Sequence, residues 1–149
     1  MQTYTEKIGN KLNELLEKTY DAEKGFKKAA DHTDHSYLKE YFEKKAEQRK
    51  DFGFQLKTEI NSFGQKAETG DSMTGKIHRT WMDVKALFSS DSEEAMLEEA
   101  IRGEKAAIAE YEDVLSETTL PPTTEMLLQK QKDSIQSALS TVKNLENSF

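Results

Sequence analysis

Apolar residues recur every three or four positions along most of this chain, the spacing of one helix face rather than of a strand. The first run is Ile8, Leu12, Leu15, Leu16, Thr19, Phe26 and Ala30. It predicts a helix over residues 5–31, opened by Thr3-Tyr4-Thr5-Glu6 as a capping box. The polar stretch "DHTDHS" interrupts the pattern, and Asp34 is the expected N-cap of the next helix. That second helix, 35–64, carries Leu38, Tyr41, Phe42, Phe52, Leu56, Ile60 and Phe63 and stops at Gly64. A loop-like segment, "GQKAETGDSMTG", leads to a shorter amphipathic helix over 73–89 with Ile77, Trp81, Val84, Leu87 and Phe88 on one side. Ser90-Asp91-Ser92-Glu93 reads as a second capping box, opening a helix over 92–117. Its stripe is Leu97, Ile101, Ile108, Tyr111 and Leu115. "SETTLPP" ends it, and Pro122 suits the first turn of a last helix, 122–147, whose buried face is Leu127, Leu128, Ile135, Leu139, Val142 and Leu145.

Four long helices, tightly joined in two pairs with a long connection between, predict an all-α domain. Two antiparallel helical hairpins linked by a crossover are the connectivity of a ferritin-like four-helix bundle, here with an extra short amphipathic helix in the crossover. An up-down bundle with a peripheral helix is the alternative topology. Gly25, Gly53 and Gly103 fall inside helices at a cost in propensity, so each is expected at a close helix contact.

Composition narrows the function classes. The 149 residues suffice for one domain with a sizeable core. There is no cysteine, which removes disulfides, thiolate catalysis and Cys-based metal sites. A net charge of −7 speaks against nucleic-acid binding, which needs clustered Lys and Arg. No apolar run long enough for a membrane span and no signal-peptide core are visible, so a cytoplasmic protein is expected. The charge is uneven: the helix at 92–117 is strongly acidic, whereas "KEYFEKKAEQRK" at 39–50 is net basic.

Charged and polar side chains interrupt the inward stripes. Glu104 lies among the apolar residues of its helix, Lys45 and Arg49 bridge Phe42 and Phe52, Glu23 lies between Thr19 and Phe26, and Gln131 sits on the last helix. An unpaired buried charge costs several kcal/mol, so pairing is expected. Glu104 with Arg49 is the favoured pair, because each is near the middle of its helix. Tyr20, Glu23, Lys45, Tyr111 and Gln131 are the expected neighbours. A di-iron bundle uses Glu-x-x-His on two helices, and the only histidines are His32, His35 and His78, so two such motifs are impossible. Glu47, Asp51 and Asp133 fall off the inward stripes. No metal and no cofactor are expected. Trp81 and Phe88 are the candidates for a partner contact through a docked helix.

The segments "YDAEKGFKKAAD", "AEQRKDFGFQL" and "GKIHRTWMDVKALFSSDSEEAMLEEAIRGEKAAIAEYEDVL" resemble an uncharacterised bacterial four-helix-bundle family, a domain of unknown function of the ferritin-like group. The resemblance covers roughly residues 5–117. Its specific parts are Gly75, His78, Arg79 and Trp81, and Arg102, Gly103, Glu104 and Tyr111. It implies a ferritin-like fold descended from metal-binding bundles, distantly similar to rubrerythrin. "AEQRKDF" is similar to a rubrerythrin-type second helix with Arg49 or Gln48 in place of the glutamate and Phe52 or Asp51 in place of the histidine. "GEKAAIAEY" is similar to a third helix that keeps Glu104 and has Ala107 where a second acid would be.

The expectation is therefore a non-enzymatic bundle whose metal site has become a buried Arg–Glu cluster, with a stress-related structural or interaction role and room for a homodimer. One alternative is an iron-binding or oxidase-like protein with a carboxylate-only site at Glu104 and Glu23. Another is an interaction module that uses the acidic helix at 92–117 or Trp81, with a protein partner of unknown identity.

Overall fold

The computed structural model describes residues 3–67, 93–117 and 119–146. Four α-helices account for nearly all of them: α1 (Tyr4–His32), α2 (Ser36–Ser62), α3 (Glu93–Glu117) and α4 (Pro122–Glu146). At 1.5 Å per residue each is about 40 Å long. The expected short helix at 73–89, with Trp81 and Phe88, and the capping box at Ser90 lie outside the described residues.

Local chemistry sets the helix ends. Thr3 caps α1, its Oγ1 accepting from the Glu6 backbone N–H at 3.2 Å. Thr33 closes α1, its N–H returning to the Ala29 carbonyl at 3.1 Å. The cap of α2 is His35 rather than Asp34: the imidazole Nδ1 accepts from the Leu38 N–H at 3.4 Å, while Asp34 is exposed. Only one residue at that corner can occupy the cap position, and Thr33 fixes which one by accepting the His35 N–H on its hydroxyl at 3.2 Å. Gly64 ends the second helix region with a φ of 73°, a left-handed conformation that glycine adopts without a Cβ penalty. Pro122 starts α4, where its missing N–H has no intrahelical partner anyway.

The core falls into two apolar layers. At one end Phe26, Leu38, Phe42, Met96, Leu97 and Val142 pack together. At the other lie Ile8, Leu12, Leu16, Leu56, Ile60, Val114, Leu128 and Ile135. Each layer draws on all four helices, and the order of its residues fixes their directions. The chain climbs α1, descends α2, descends α3 and climbs α4, so that α2 and α3 run in parallel. Chain 63–92 thus joins the lower end of α2 to the upper end of α3. Its first residues start back along α1, where the Asn13 side-chain amide donates to the Lys66 carbonyl at 3.0 Å.

Helix α3 is rotated relative to the stripe expected from its largest side chains. Met96, Ala100, Gly103 and Val114 are buried, whereas Ile101, Ile108 and Leu115 are only half-buried at the flank. Small residues win the inner position because they let the helix approach its neighbours, and the isoleucines then cover the seam from outside. Gly53 behaves differently from the expectation of a forced close contact. A Cβ built there would meet its nearest atom, Tyr20 Cε1, at 3.5 Å, an ordinary van der Waals distance. None of the described helices is long and apolar enough to cross a membrane.

Candidate functional site

Between the two apolar layers runs a belt of buried polar side chains. Tyr41, Lys45 and Arg49 stand one helical turn apart on α2, and α3 brings Glu104 to face them. The Arg49 Nη2 donates to Glu104 Oε1, and the two side chains are only 3% and 1% exposed. Nη1 donates to Gln48 Oε1 at 2.6 Å. The guanidinium carbon also lies 5.6 Å from the ring centre of Phe26 and 5.7 Å from that of Phe52, one ring from each apolar layer. These ring faces stabilise a cation that is almost fully buried.

Burial and charge act on the neighbours. Lys45 is itself buried, and desolvation lowers its ammonium pKa to about 8. Glu104 pulls that pKa back up and Arg49 pushes it down again. The Tyr41 phenol is pushed well above its ordinary value, first by burial and then by the Glu104 carboxylate. Among the described residues, Glu104 Oε2 and the Tyr41 hydroxyl, both buried, have no hydrogen-bond partner.

A second polar strip continues the belt toward α4. The Tyr111 hydroxyl donates to Gln131 Oε1 at 2.6 Å. Gln131 Nε2 donates onward to Gln55 Oε1 at 2.9 Å and to the Phe52 carbonyl at 3.4 Å. One glutamine thereby links α3, α4 and α2. The Tyr111 phenol is pushed up to about 12, mainly by burial, while Arg49 works in the opposite sense.

Two side chains expected among the neighbours make contacts of their own. Glu23 pairs with Lys27 of its own helix at 3.0 Å. The Tyr20 ring packs beside Gly53 and lies 5.7 Å from the Lys57 ammonium. Sequence reasoning missed Gln48, Gln55 and the buried Thr19 as participants. A glutamine at a helix flank looks like any solvated residue until its partner is known. Of Thr19 only the hydroxyl would have been a clue, and it bonds locally, donating to the Leu15 carbonyl at 2.8 Å.

The chemistry open to this belt is limited by its charges. Among the described residues, no group of three His, Cys, Asp or Glu side chains comes together as a metal site would require. Glu47, Asp51 and Asp133 are exposed on the outer faces. Beside Glu104 stand two cations, so the carboxylate is already matched by protein charge.

The comparison with protein families matches residues 7–117 to a model described as a Domain of unknown function (DUF2383). The chain belongs to this family. No curated protein matches it. The DUF2383 match begins in the first turn of α1, takes in α2 and α3 and stops where α3 ends, so it contains Tyr41, Lys45, Arg49, Glu104 and Tyr111 but not Gln131. The pair at the centre of the belt is thus made entirely within the DUF2383 region, and α4 completes the strip from outside it.

Proposed function

We propose that this is a non-enzymatic, ferritin-like bundle in which a buried Arg–Glu cluster stands where related bundles hold metal. The observation that carries the reading is the Arg49–Glu104 pair, set at mid-height between the two apolar layers. Two hairpins with a parallel α2 and α3 support the ferritin-like arrangement, because a single long crossover produces that direction pattern. A di-iron centre draws inward carboxylates from all four helices of such a bundle. Here the described residues offer Glu104, while α2 contributes Arg49 and Lys45 at the same level. Arginine keeps its charge at any accessible pH, so a cation would have to displace it. These residues do not fit a metal centre.

The cluster instead acts as a register device. A carboxylate and a guanidinium that must meet inside the core penalise any sliding of α3 along α2. The role that follows is structural or interactive, in a cytoplasmic and stress-related setting, with self-association as a homodimer the simplest partner. The acidic outer face of α3 is the second surface available for a protein partner, since its exposed Glu94, Glu98, Glu112 and Asp113 keep it anionic.

Metal content by plasma mass spectrometry after growth in iron-rich medium, followed by anaerobic Fe(II) titration, tests the reading. The expected result is no stoichiometric iron in either the natural protein or Glu104→Ala. Stoichiometric iron that disappears in Glu104→Ala would overturn it and make Glu104 a ligand.

A further inference from the structure

Along the outward side of α4, charge gives way to short and neutral side chains. Met126, Gln129, Lys130, Asp133, Ser134 and Ser137 follow one another at alternating steps of three and one, which keeps them on one helix face. They line a shallow depression of about 560 Å³. Met126 is 73% exposed, the most of any large apolar side chain among the described residues. Phe54, the next at 65%, has the Lys57 ammonium 6.0 Å from its ring centre. An exposed methionine is flexible enough to fit an irregular surface on another protein.

Charge decides which face a second copy can approach. Each chain carries −7, so two copies repel wherever their acidic faces meet. The α3 sequence sets nine acids against Arg102 and Lys105. The α4 sequence balances, with Lys130, Lys132 and Lys143 against Glu125, Asp133 and Glu146. Lys132 pairs with Glu112 at 3.5 Å, which leaves Lys130 and Asp133 as the charges lining the depression. Asp133 accepts one bond, from Gln129 at 3.0 Å, and a carboxylate can accept more.

The face also complements itself when reversed. A two-fold axis crossing α4 midway between Gln131 and Lys132 lays two copies of the helix antiparallel. Lys130 of each copy then stands level with Asp133 of the other. Met126 comes level with Ser137, and Gln129 with Ser134, so a long side chain meets a short one at each step. A parallel pair would instead set Lys130 on Lys130 and Asp133 on Asp133, a like-charge clash.

We propose that the Met126–Ser137 face of α4 is the docking surface for a second copy of this chain, packed antiparallel about a two-fold axis. This surface serves the homodimer of the functional reading above and rests on that part of it, but not on the buried Arg49–Glu104 pair. A contact of one helix face per copy lies at the low end of interface sizes, so the dimer dissociates on dilution.

Light scattering from about 1 to about 500 μM protein, at about 50 mM salt where exposed charges are little screened, provides the test. The natural protein is expected to pass from 17.0 kDa toward twice that mass as concentration rises. Asp133→Lys gathers four cations at the contact and Lys130→Asp gathers four carboxylates. Each variant should associate at least about tenfold more weakly. Mixing the two variants restores opposite charges across the axis and should recover a dimer made of one copy of each. Both positions are exposed, so both variants should keep the circular dichroism of the natural protein. A natural protein that stays monomeric throughout overturns the surface. So does a dimer that persists in Asp133→Lys, which would place the contact on another face, and so does a mixture that stays monomeric. The Fe(II) titration is scored separately: iron lost in Glu104→Ala removes the ion-pair reading, whereas a monomer without iron removes only the homodimer and this face.

Discussion

Arg49 and Glu104 meet between α2 and α3 with 3% and 1% of their side-chain surface in contact with water. Removing one partner of such a pair leaves the other charge stranded in the core. Glu104→Ala should therefore cost about 3–5 kcal/mol in urea denaturation. A double replacement, Arg49→Met with Glu104→Leu, removes both charges together and should recover most of that loss. A single variant that costs less than about 1 kcal/mol would show that the pair is solvated, which is the usual size for exposed pairs.

Lys45 makes stability depend on pH in a predictable direction. Its folded pKa of about 8 lies below the ordinary 10.5. Below pH 8 both folded and unfolded chains carry the proton, and the full burial penalty is felt. Between pH 8 and 10.5 the unfolded chain binds more protons, so stability rises with pH. The total gain is on the order of 3 kcal/mol at most. Tyr111 works the other way: its phenol is raised to about 12, so its contribution is present below pH 10 and is lost as pH climbs through 12. Urea denaturation at pH 7, 8.5 and 9.5 should show rising stability. Lys45→Met should be more stable at pH 7 and flatter across the same window. An equal slope in both proteins would mean that Lys45 does not carry the effect.

The helices were readable because their apolar spacing is regular over some 25 residues, and the ends of α1 and α2 fall within two residues of expectation. The Arg49–Glu104 pair was readable for the same reason, since a charge placed on an inward stripe near mid-helix has few partners to choose from. Rotation of α3 was not readable from size. Ile101 and Ile108 have more apolar surface to bury than Ala100 and Gly103, yet it is Ala100 and Gly103 that are buried, because the inner line of the helix selects for small volume, which hydrophobic patterning does not encode. Tyr41 was visible only as a stripe residue, and its role beside Glu104 appears once α2 and α3 are parallel. Glu23 was misplaced because an i, i+4 lysine on its own helix offers a partner nearer than any across the bundle.

The corner between α1 and α2 separates two adjacent candidates for the same cap. His35 accepts the Leu38 N–H at a long 3.4 Å, whereas Asp34 is exposed. Aspartate is among the preferred N-cap residues. His35→Asp should stabilise the protein by about 0.5–1 kcal/mol, and Asp34→Ala should be close to neutral. Chemical denaturation of the two variants decides it: a loss confined to Asp34→Ala would move the cap back by one residue.

Gly53 sits in the interior of α2, where glycine costs about 0.5–1 kcal/mol relative to alanine. The added methyl of Gly53→Ala would touch Tyr20 at 3.5 Å and Leu16 Cδ1 at 3.8 Å, with no atom closer. Helix propensity should win, and the variant should gain a few tenths to about 1 kcal/mol. A shift of Tm upward by a few degrees is the expected readout; a fall would mean that α1 and α2 approach more closely than these distances.

Tyr111 and Gln131 offer the sharpest measure of what α4 adds to the polar belt. The Tyr111 hydroxyl bonds to Gln131 at 2.6 Å in a place where neither group has water to fall back on. Tyr111→Phe leaves Gln131 Oε1 without its donor and should cost about 1–3 kcal/mol. Gln131→Leu costs a similar amount, because it also strips a donor from Gln55 and from the Phe52 carbonyl. The double variant should lose less than the sum, with a coupling of about 1 kcal/mol, since both single changes break the same bond. Additive losses would mean that Tyr111 and Gln131 act independently. In that case α4 would be held to the DUF2383 helices by its apolar face, through Leu128, Ile135 and Val142, and by separate polar contacts such as Thr124 with Glu59 and Lys132 with Glu112.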